Sequence, residues 1–253
     1  MNGDWTIMPE GLIKEIWLRY YTSRDQMMDL LVSRINAETG EIIHTSEVAF
    51  SYHVMEARRY IAGDTAGGMK DLTEASKGKT KSWTVFGVWD YHQHNNSQSL
   101  MLRDVFRARC SFTEACDALR ELYVKWHPSS IRVEENTMGV PLVDLLQREM
   151  PITTIGTGGI DKVSRAAPLM NMLQRGEVYL PVGQNSWKNT IETEWLSWQG
   201  LATDTNDQVD MAAYAAMEAG GFSGGTMTLE FDPREQVSLG PAMSAFKSRW
   251  GRT

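Results

Sequence analysis

A chain of 253 residues with 42% hydrophobic and 23% charged side chains has the composition of a globular protein with a sizeable core. No apolar run is long enough to span a bilayer, and Met1-Asn2-Gly3-Asp4-Trp5 does not read as a secretory signal, so neither a membrane protein nor a secreted one is expected. A formal net charge of −7 argues against coating nucleic acid through bulk electrostatics. Two cysteines, Cys110 and Cys116, make no disulfide framework and miss the usual zinc spacing, which suits a reducing cytoplasm.

Residues 1–57 read as a lead-in of mixed type. Leu12 to Tyr21 is aromatic and aliphatic, a short helix or strand, and Leu30–Ile35 with Glu41–His44 flank a glycine turn as a hairpin. From Arg58 onward the order is clearer. Tyr60–Gly63 is a first strand, Met69–Lys81 a polar loop carrying Lys70, Lys77, Lys79 and Lys81, and Ser82–Trp89 a second strand with alternating character. A polar turn, His92 to Ser97, leads to a third strand over Ser99–Ala108. Phe112–Trp126 is an amphipathic helix, with Ala115, Leu119, Leu122 and Trp126 at helical spacing. Strand Ser130–Val133, helix Pro141–Met150, strand Ile152–Ile155, helix Ser164–Arg175 closed by Gly176, strand Val178–Leu180 and helix Gln208–Ala219 complete the order.

Three antiparallel strands followed by alternating helices and strands predict an α/β fold. The expected architecture is a mixed sheet of five strands or more with helices on both faces, the element order of a ribonuclease H-like fold. Residues 58–219 are expected to form that domain, with 220–253 as a glycine-rich linker and a tail.

Three acids stand at structural corners. Asp64 ends the run Tyr60-Ile61-Ala62-Gly63-Asp64, Glu134 ends Ile131-Arg132-Val133-Glu134, and Asp207 opens the last helix within Asn206-Asp207-Gln208-Val209-Asp210. Two strand ends and a helix start can converge, and three carboxylates there repel unless divalent metal neutralises them. Oxygen-only ligands suit Mg²⁺ or Mn²⁺, and a pair of such ions is a standard apparatus for phosphodiester hydrolysis. Each acid has a plainer rival reading. Asp64 precedes a glycine-rich turn that aspartate favours, Glu134 has Glu135 beside it, and Asp204 and Asp207 would stabilise a helix start whatever the function. Asp204 is assigned the capping role.

These residues resemble the nuclease domain of the large terminase subunit of tailed bacteriophages, over roughly Arg58 to Glu218. The strand-terminal aspartate with small residues is Ala62-Gly63-Asp64-Thr65-Ala66-Gly67, and the glutamate five residues before a glycine is Glu134 with Gly139. Asp161 to Pro168 resembles the family's lysine-and-arginine stretch, and Gly176 to Pro181, followed by Trp187, its next landmark. The closing acidic motif is Asn206-Asp207-Gln208-Val209-Asp210, where Asn206 replaces the first aspartate of the family's pair.

The resemblance implies a metal-dependent endonuclease that cuts concatemeric double-stranded viral DNA during packaging. Asp64, Glu134 and Asp207 would be catalytic and hold two Mg²⁺ or Mn²⁺ ions. Asp210 would assist, Lys162 and Arg165 would hold phosphate or balance charge, and Lys77, Lys79 and Lys81 would grip DNA without reading bases. The implied partners are an ATPase motor domain or subunit, the small terminase subunit and the portal protein, in the cytoplasm of an infected bacterium. No ATP site is expected here. Lys77-Gly78-Lys79-Thr80 lacks the glycine a P-loop requires five residues before Gly78, where Thr73 stands. An excised domain or a split-gene product would account for that. The alternatives are an inactive docking module, or another nuclease of the same fold such as a junction resolvase or transposase core. His92 and His94 with Asp90 are read as an exposed hairpin tip rather than a metal site. The tryptophans at 83, 89, 126, 187, 195 and 198 are read as core rather than base-stacking residues.

Overall fold

Among the described residues, nine strands and five α-helices are built by the sequence patterns described above together with several that those patterns do not reveal. The computed structural model describes residues 11–36, 39, 42–66, 83–94, 97–156, 158–183, 185–201 and 203–222. The lysines at 77, 79 and 81, the loop that carries them and the tail beyond residue 222 lie outside the described residues.

The strands are β1 (Arg19–Arg24), β2 (Met27–Ile35), β3 (Ile42–His53), β4 (Arg58–Asp64), β5 (Thr84–His94), β6 (Ser97–Ala108), β7 (Ser130–Glu134), β8 (Ile152–Ile155) and β9 (Val178–Pro181). The helices are α1 (Phe112–Trp126), α2 (Gly139–Leu146), α3 (Lys162–Gln174), α4 (Lys188–Ser197) and α5 (Asp207–Phe222). All nine strands join one sheet in the order β3-β2-β1-β9-β6-β5-β4-β7-β8. Pairing within β4–β5–β6 and within β1–β2–β3 is antiparallel, whereas β4–β7, β7–β8, β6–β9 and β1–β9 are parallel. The five strands β6-β5-β4-β7-β8 are the ribonuclease H-like core, and the sheet is mixed and α/β in class as the sequence leads one to expect. Residues 19–53 continue the same sheet through β1, which pairs with β9.

Pleating divides the core between two faces. Ile61, Phe86 and Val88 point to one side and pack with Ala115, Leu119 and Leu142 from α1 and α2. Tyr60 and Trp89, one residue out of phase, face α5, where the Tyr60 hydroxyl donates to the Ala215 carbonyl at 2.7 Å and Trp89 Nε1 to Met211 Sδ at 3.3 Å. Gly87 permits this approach, because a Cβ there would lie 2.3 Å from Met211 Sδ. α4 has no counterpart among the sequence expectations. Its run Lys-Asn-Thr-Ile-Glu-Thr-Glu-Trp-Leu-Ser offers a weak apolar stripe, and it buries Ile191, Glu194 and Trp195.

Two local expectations need correction. His92 is not at an exposed tip. It is buried and stacks on Tyr52, with ring centroids 4.1 Å apart and an interplanar angle of 11°. Nor is every tryptophan in the core: Trp89, Trp195 and Trp198 are fully buried, but Trp83 is half-exposed.

The buried carboxylate of Asp90 ties β4, β5 and β6 together near the start of β4. Arg59 Nε and Nη2 donate to its two oxygens at 2.6 and 2.8 Å, and Arg103 Nη1 adds a bond at 2.6 Å. The Trp126 ring lies under both guanidiniums at 5.1 and 5.4 Å. Removing the shared anion leaves two partly buried cations uncompensated. Asp90→Ala is therefore expected to lower the unfolding free energy by about 3–5 kcal/mol in urea titrations. A loss below about 1 kcal/mol would show the network to be incidental.

Candidate functional site

Asp64 and Glu134 stand side by side because β4 and β7 are parallel neighbours. Gly63 is the register partner of Val133, so the next residue along each strand is one of the two acids, at the sheet's C-terminal edge. α5 begins at Asp207, and its first turn adds Asp210. All four carboxylates line one cleft of about 460 Å³, together with Asn136, Lys162, Arg165 and Asn206. Every predicted site residue within the described part of the chain is thus brought to one place.

Local sequence explains how each acid is held. Gly139 lies against the strand end, where a Cβ would come 2.0 Å from the Glu134 carbonyl oxygen; the glutamate–glycine spacing is a packing requirement. Asn136, which has no part in the sequence expectations, joins these elements. Its Nδ2 donates to the Thr65 carbonyl at 2.6 Å and to Glu134 Oε2 at 2.9 Å. Its Oδ1 accepts from the Thr65 hydroxyl and from the Met138 and Gly139 N–H groups, so one side chain joins both strand ends to the start of α2. An asparagine just before a helix is a capping signal, and that signal was available.

The start of α5 is held differently from the expectation. Asp204 does not cap it; its Oδ2 accepts from the Gln199 and Leu201 N–H groups in the preceding turn. Buried Glu194 from α4 takes the capping role, accepting the Gln208 N–H at 2.6 Å and its side-chain amide at 2.9 Å. Because α4 was not foreseen, this cap was not legible.

The cleft concentrates negative charge away from water. Burial first, then the neighbouring Glu134 carboxylate and the charges of Asp210 and Asp207, lift the Asp64 carboxyl well above the usual carboxylate range. Burial also pushes Glu134 upward, but hydrogen bonds from Asp64 and Asn136 and the Arg165 charge outweigh it, leaving Glu134 below its ordinary value. Asp207 is raised, chiefly by burial. Arg165 bridges the cluster, with Nη1 at 3.2 Å from Glu134 and Nη2 at 2.8 Å from Asp210. Lys162 Nζ donates to Asn206 Oδ1 at 2.8 Å, and Asn206 in turn donates to Asp210.

Among the described residues, no three acids, histidines or cysteines already close on a common point as a finished metal cage. Arg165 engages oxygens of Glu134 and Asp210 that an ion would use. The donor set nonetheless fits a hard divalent cation: four carboxylates, oxygen ligands only, and raised proton affinities on three of them that mark a deficit of positive charge. The carboxylates that line the cleft within reach of such a cation are Asp64, Glu134, Asp207 and Asp210.

Burial, opposed by Arg165 and Lys162 and reinforced by Glu134 and Asp207, pushes Asp210 up to about 6. A carboxyl whose folded pKa exceeds its unfolded value favours the folded state below that window and loses this advantage as pH rises through it. In EDTA, the unfolding temperature of the wild type minus that of Asp210→Asn is expected to fall from about pH 4 to about pH 6, then level off. A difference that rises with pH would contradict the assignment.

The family model described as Terminase RNaseH-like domain matches residues 63–218. Among solved structures, the chain is similar to the large terminase nuclease from thermophilic phage G20c with bound magnesium, at 14% identity and a TM-score of 0.48, covering 79% of this chain and 92% of that one. It is similar to the large terminase nuclease domain of Thermus phage P74-26, at 15% identity and a TM-score of 0.47, over 85% and 94% of the two chains. A third likeness is to the large terminase nuclease domain of bacteriophage SPP1 with bound Mn, at 15% identity and a TM-score of 0.44, over 65% and 89%. The comparison with curated proteins gives no match. With more than half of its length matched by the family model, and with the strand order and strand-end acids described above, the chain belongs to the terminase RNase H-like domain family.

Proposed function

We propose that this chain is the endonuclease part of a phage large terminase, cutting concatemeric double-stranded DNA as the genome is packaged. The observation that carries this reading is the convergence of Asp64, Glu134, Asp207 and Asp210 on one cleft at the C-terminal edge of a ribonuclease H-like sheet. In this reading Asp64, Glu134 and Asp207 hold two Mg²⁺ or Mn²⁺ ions. Such ions supply the Lewis acidity that activates an attacking water and stabilises the leaving 3′ oxygen.

The chain's own residues do the rest. Asn136 holds the Glu134 carboxylate and ties it to the Thr65 backbone at the end of the neighbouring strand, which limits the conformational freedom of that ligand. Arg165 neutralises part of the carboxylate charge and offers the forked geometry suited to a phosphate. Lys162, half-buried and tied to Asn206, adds a positive charge at the same wall. The ATPase motor, the small terminase subunit and the portal protein are the partners that place the cut in the packaging cycle, in the cytoplasm of the infected cell. Among the described residues no helix is long and apolar enough to cross a membrane.

Supercoiled plasmid incubated with the purified chain in Mn²⁺ or Mg²⁺ is expected to be nicked and linearised, and to stay intact in EDTA. Asp64→Asn should reduce that rate by about three orders of magnitude or more. It should also erase the rise in unfolding temperature that Mn²⁺ gives the wild type, while unfolding in EDTA stays cooperative. Full activity in the variant would remove the metal-site account.

A further inference from the structure

An acidic cleft that accepts a phosphodiester backbone needs compensating cations, and the three that line it are not equally engaged. Arg165 is bound to Glu134 and Asp210, and Lys162 to Asn206. Arg109 is exposed, and among the described residues its one recorded contact is a ring, the indole of Trp83, with the guanidinium carbon 4.5 Å from the centroid. Arg107 lies against the same indole at 3.8 Å, and its buried Nε has no hydrogen-bond partner.

The sheet dictates this grouping. Thr84 pairs with Ala108 and Val85 with Arg107, so Trp83 and Arg109 meet one step beyond the paired ladder, where β5 begins and β6 ends. Trp83 and Arg109 both line the acidic cleft beside Asp207. Two like charges are gathered on one aromatic ring at the acidic cleft, and among the described residues Arg107 reaches a carboxylate, Glu194 at 3.4 Å, whereas Arg109 reaches none. A polyanion running along the cleft rim would satisfy both.

We propose that Trp83, Arg107 and Arg109 form a grip for the phosphate backbone of the DNA strand entering the acidic cleft, with the indole holding the two guanidiniums in place. The inference rests on the nuclease reading and deepens it by naming where the duplex is held. The contact is to phosphate and carries no base readout, which suits cutting with little sequence preference. Arg107 also supports the Glu194 cap of α5, so Arg109 and Trp83 are the informative positions.

The test is anisotropy of a fluorescein-labelled duplex with the full chain in EDTA, at several salt concentrations, with plasmid cleavage by the wild type in Mn²⁺ scored in parallel. Arg109→Gln is expected to weaken binding several-fold and to reduce the salt slope by about one. Trp83→Leu should weaken binding in the same direction, and Trp83→Phe should restore most of it by returning an aromatic face to the guanidiniums. Wild-type cleavage together with unchanged affinity and salt slope in Arg109→Gln would overturn the grip and leave the nuclease reading standing. A wild type that neither binds duplex nor cleaves would remove both. A wild type that binds but does not cleave, with Arg109→Gln weakened, would support the grip and count against the nuclease reading alone.

Discussion

Repulsion among four carboxylates in a cleft shielded from water is the constraint around which the rest of this structure is arranged. Asp64 and Glu134 are neighbours only because β4 and β7 run parallel with Gly63 opposite Val133, and Asp207 and Asp210 arrive only because α5 starts over the same edge. Burying these carboxylates together has a cost: burial raises the proton affinities of Asp64, Asp207 and Asp210, and neighbouring carboxylates add to it at Asp64 and Asp210. The chain's own residues offset that cost in part, through the Arg165 bridge and the Lys162–Asn206–Asp210 relay. Such an arrangement is poised rather than satisfied, and a hard divalent cation is the species that relieves it most directly.

The remainder of the fold keeps the strand ends where the chemistry needs them. Asp90, with Arg59 and Arg103, pins β4, β5 and β6 near the start of β4, so the free end of β4 projects from a fixed base. α5 lies close over β4 and β5 because Gly87 leaves room for Met211, and its first turn is oriented by the Glu194 cap. The strands of residues 19–53 lengthen the sheet on the side away from β7 and β8, reaching the core through β9. They leave the edge that bears the acids untouched.

Much of this was legible in the sequence, for identifiable reasons. Strong local patterns announced β4 to β8, α1 and the start of α5: alternating apolar residues, a helical stripe in Phe112–Trp126, and acids at strand ends followed by small residues. Strand ends selected Asp64 and Glu134, and the helix start selected Asp207 with Asp210 as its auxiliary; the four share the cleft. What local pattern could not carry was long-range pairing. The lead-in read as a hairpin of uncertain attachment because its link is the parallel β1–β9 contact, between residues far apart in the chain. α4 went unseen because its apolar stripe is weak, and with it the Glu194 cap that displaced Asp204 from its expected role. Asn136 was in plain view as a capping residue, but its bonds to Thr65 and Glu134 depend on tertiary proximity. Arg107 and Arg109 carry no motif; only the ladder that sets them beside Trp83 gives them meaning.

Whether the cleft is a divalent-metal centre is tested most directly by diffraction from crystals of this chain soaked in Mn²⁺, with data collected at the manganese absorption edge. Anomalous density is expected inside the cleft, contacted by Asp64, Glu134 and Asp207. A cleft without anomalous density at saturating Mn²⁺, with Arg165 still bridging Glu134 and Asp210, would contradict this expectation.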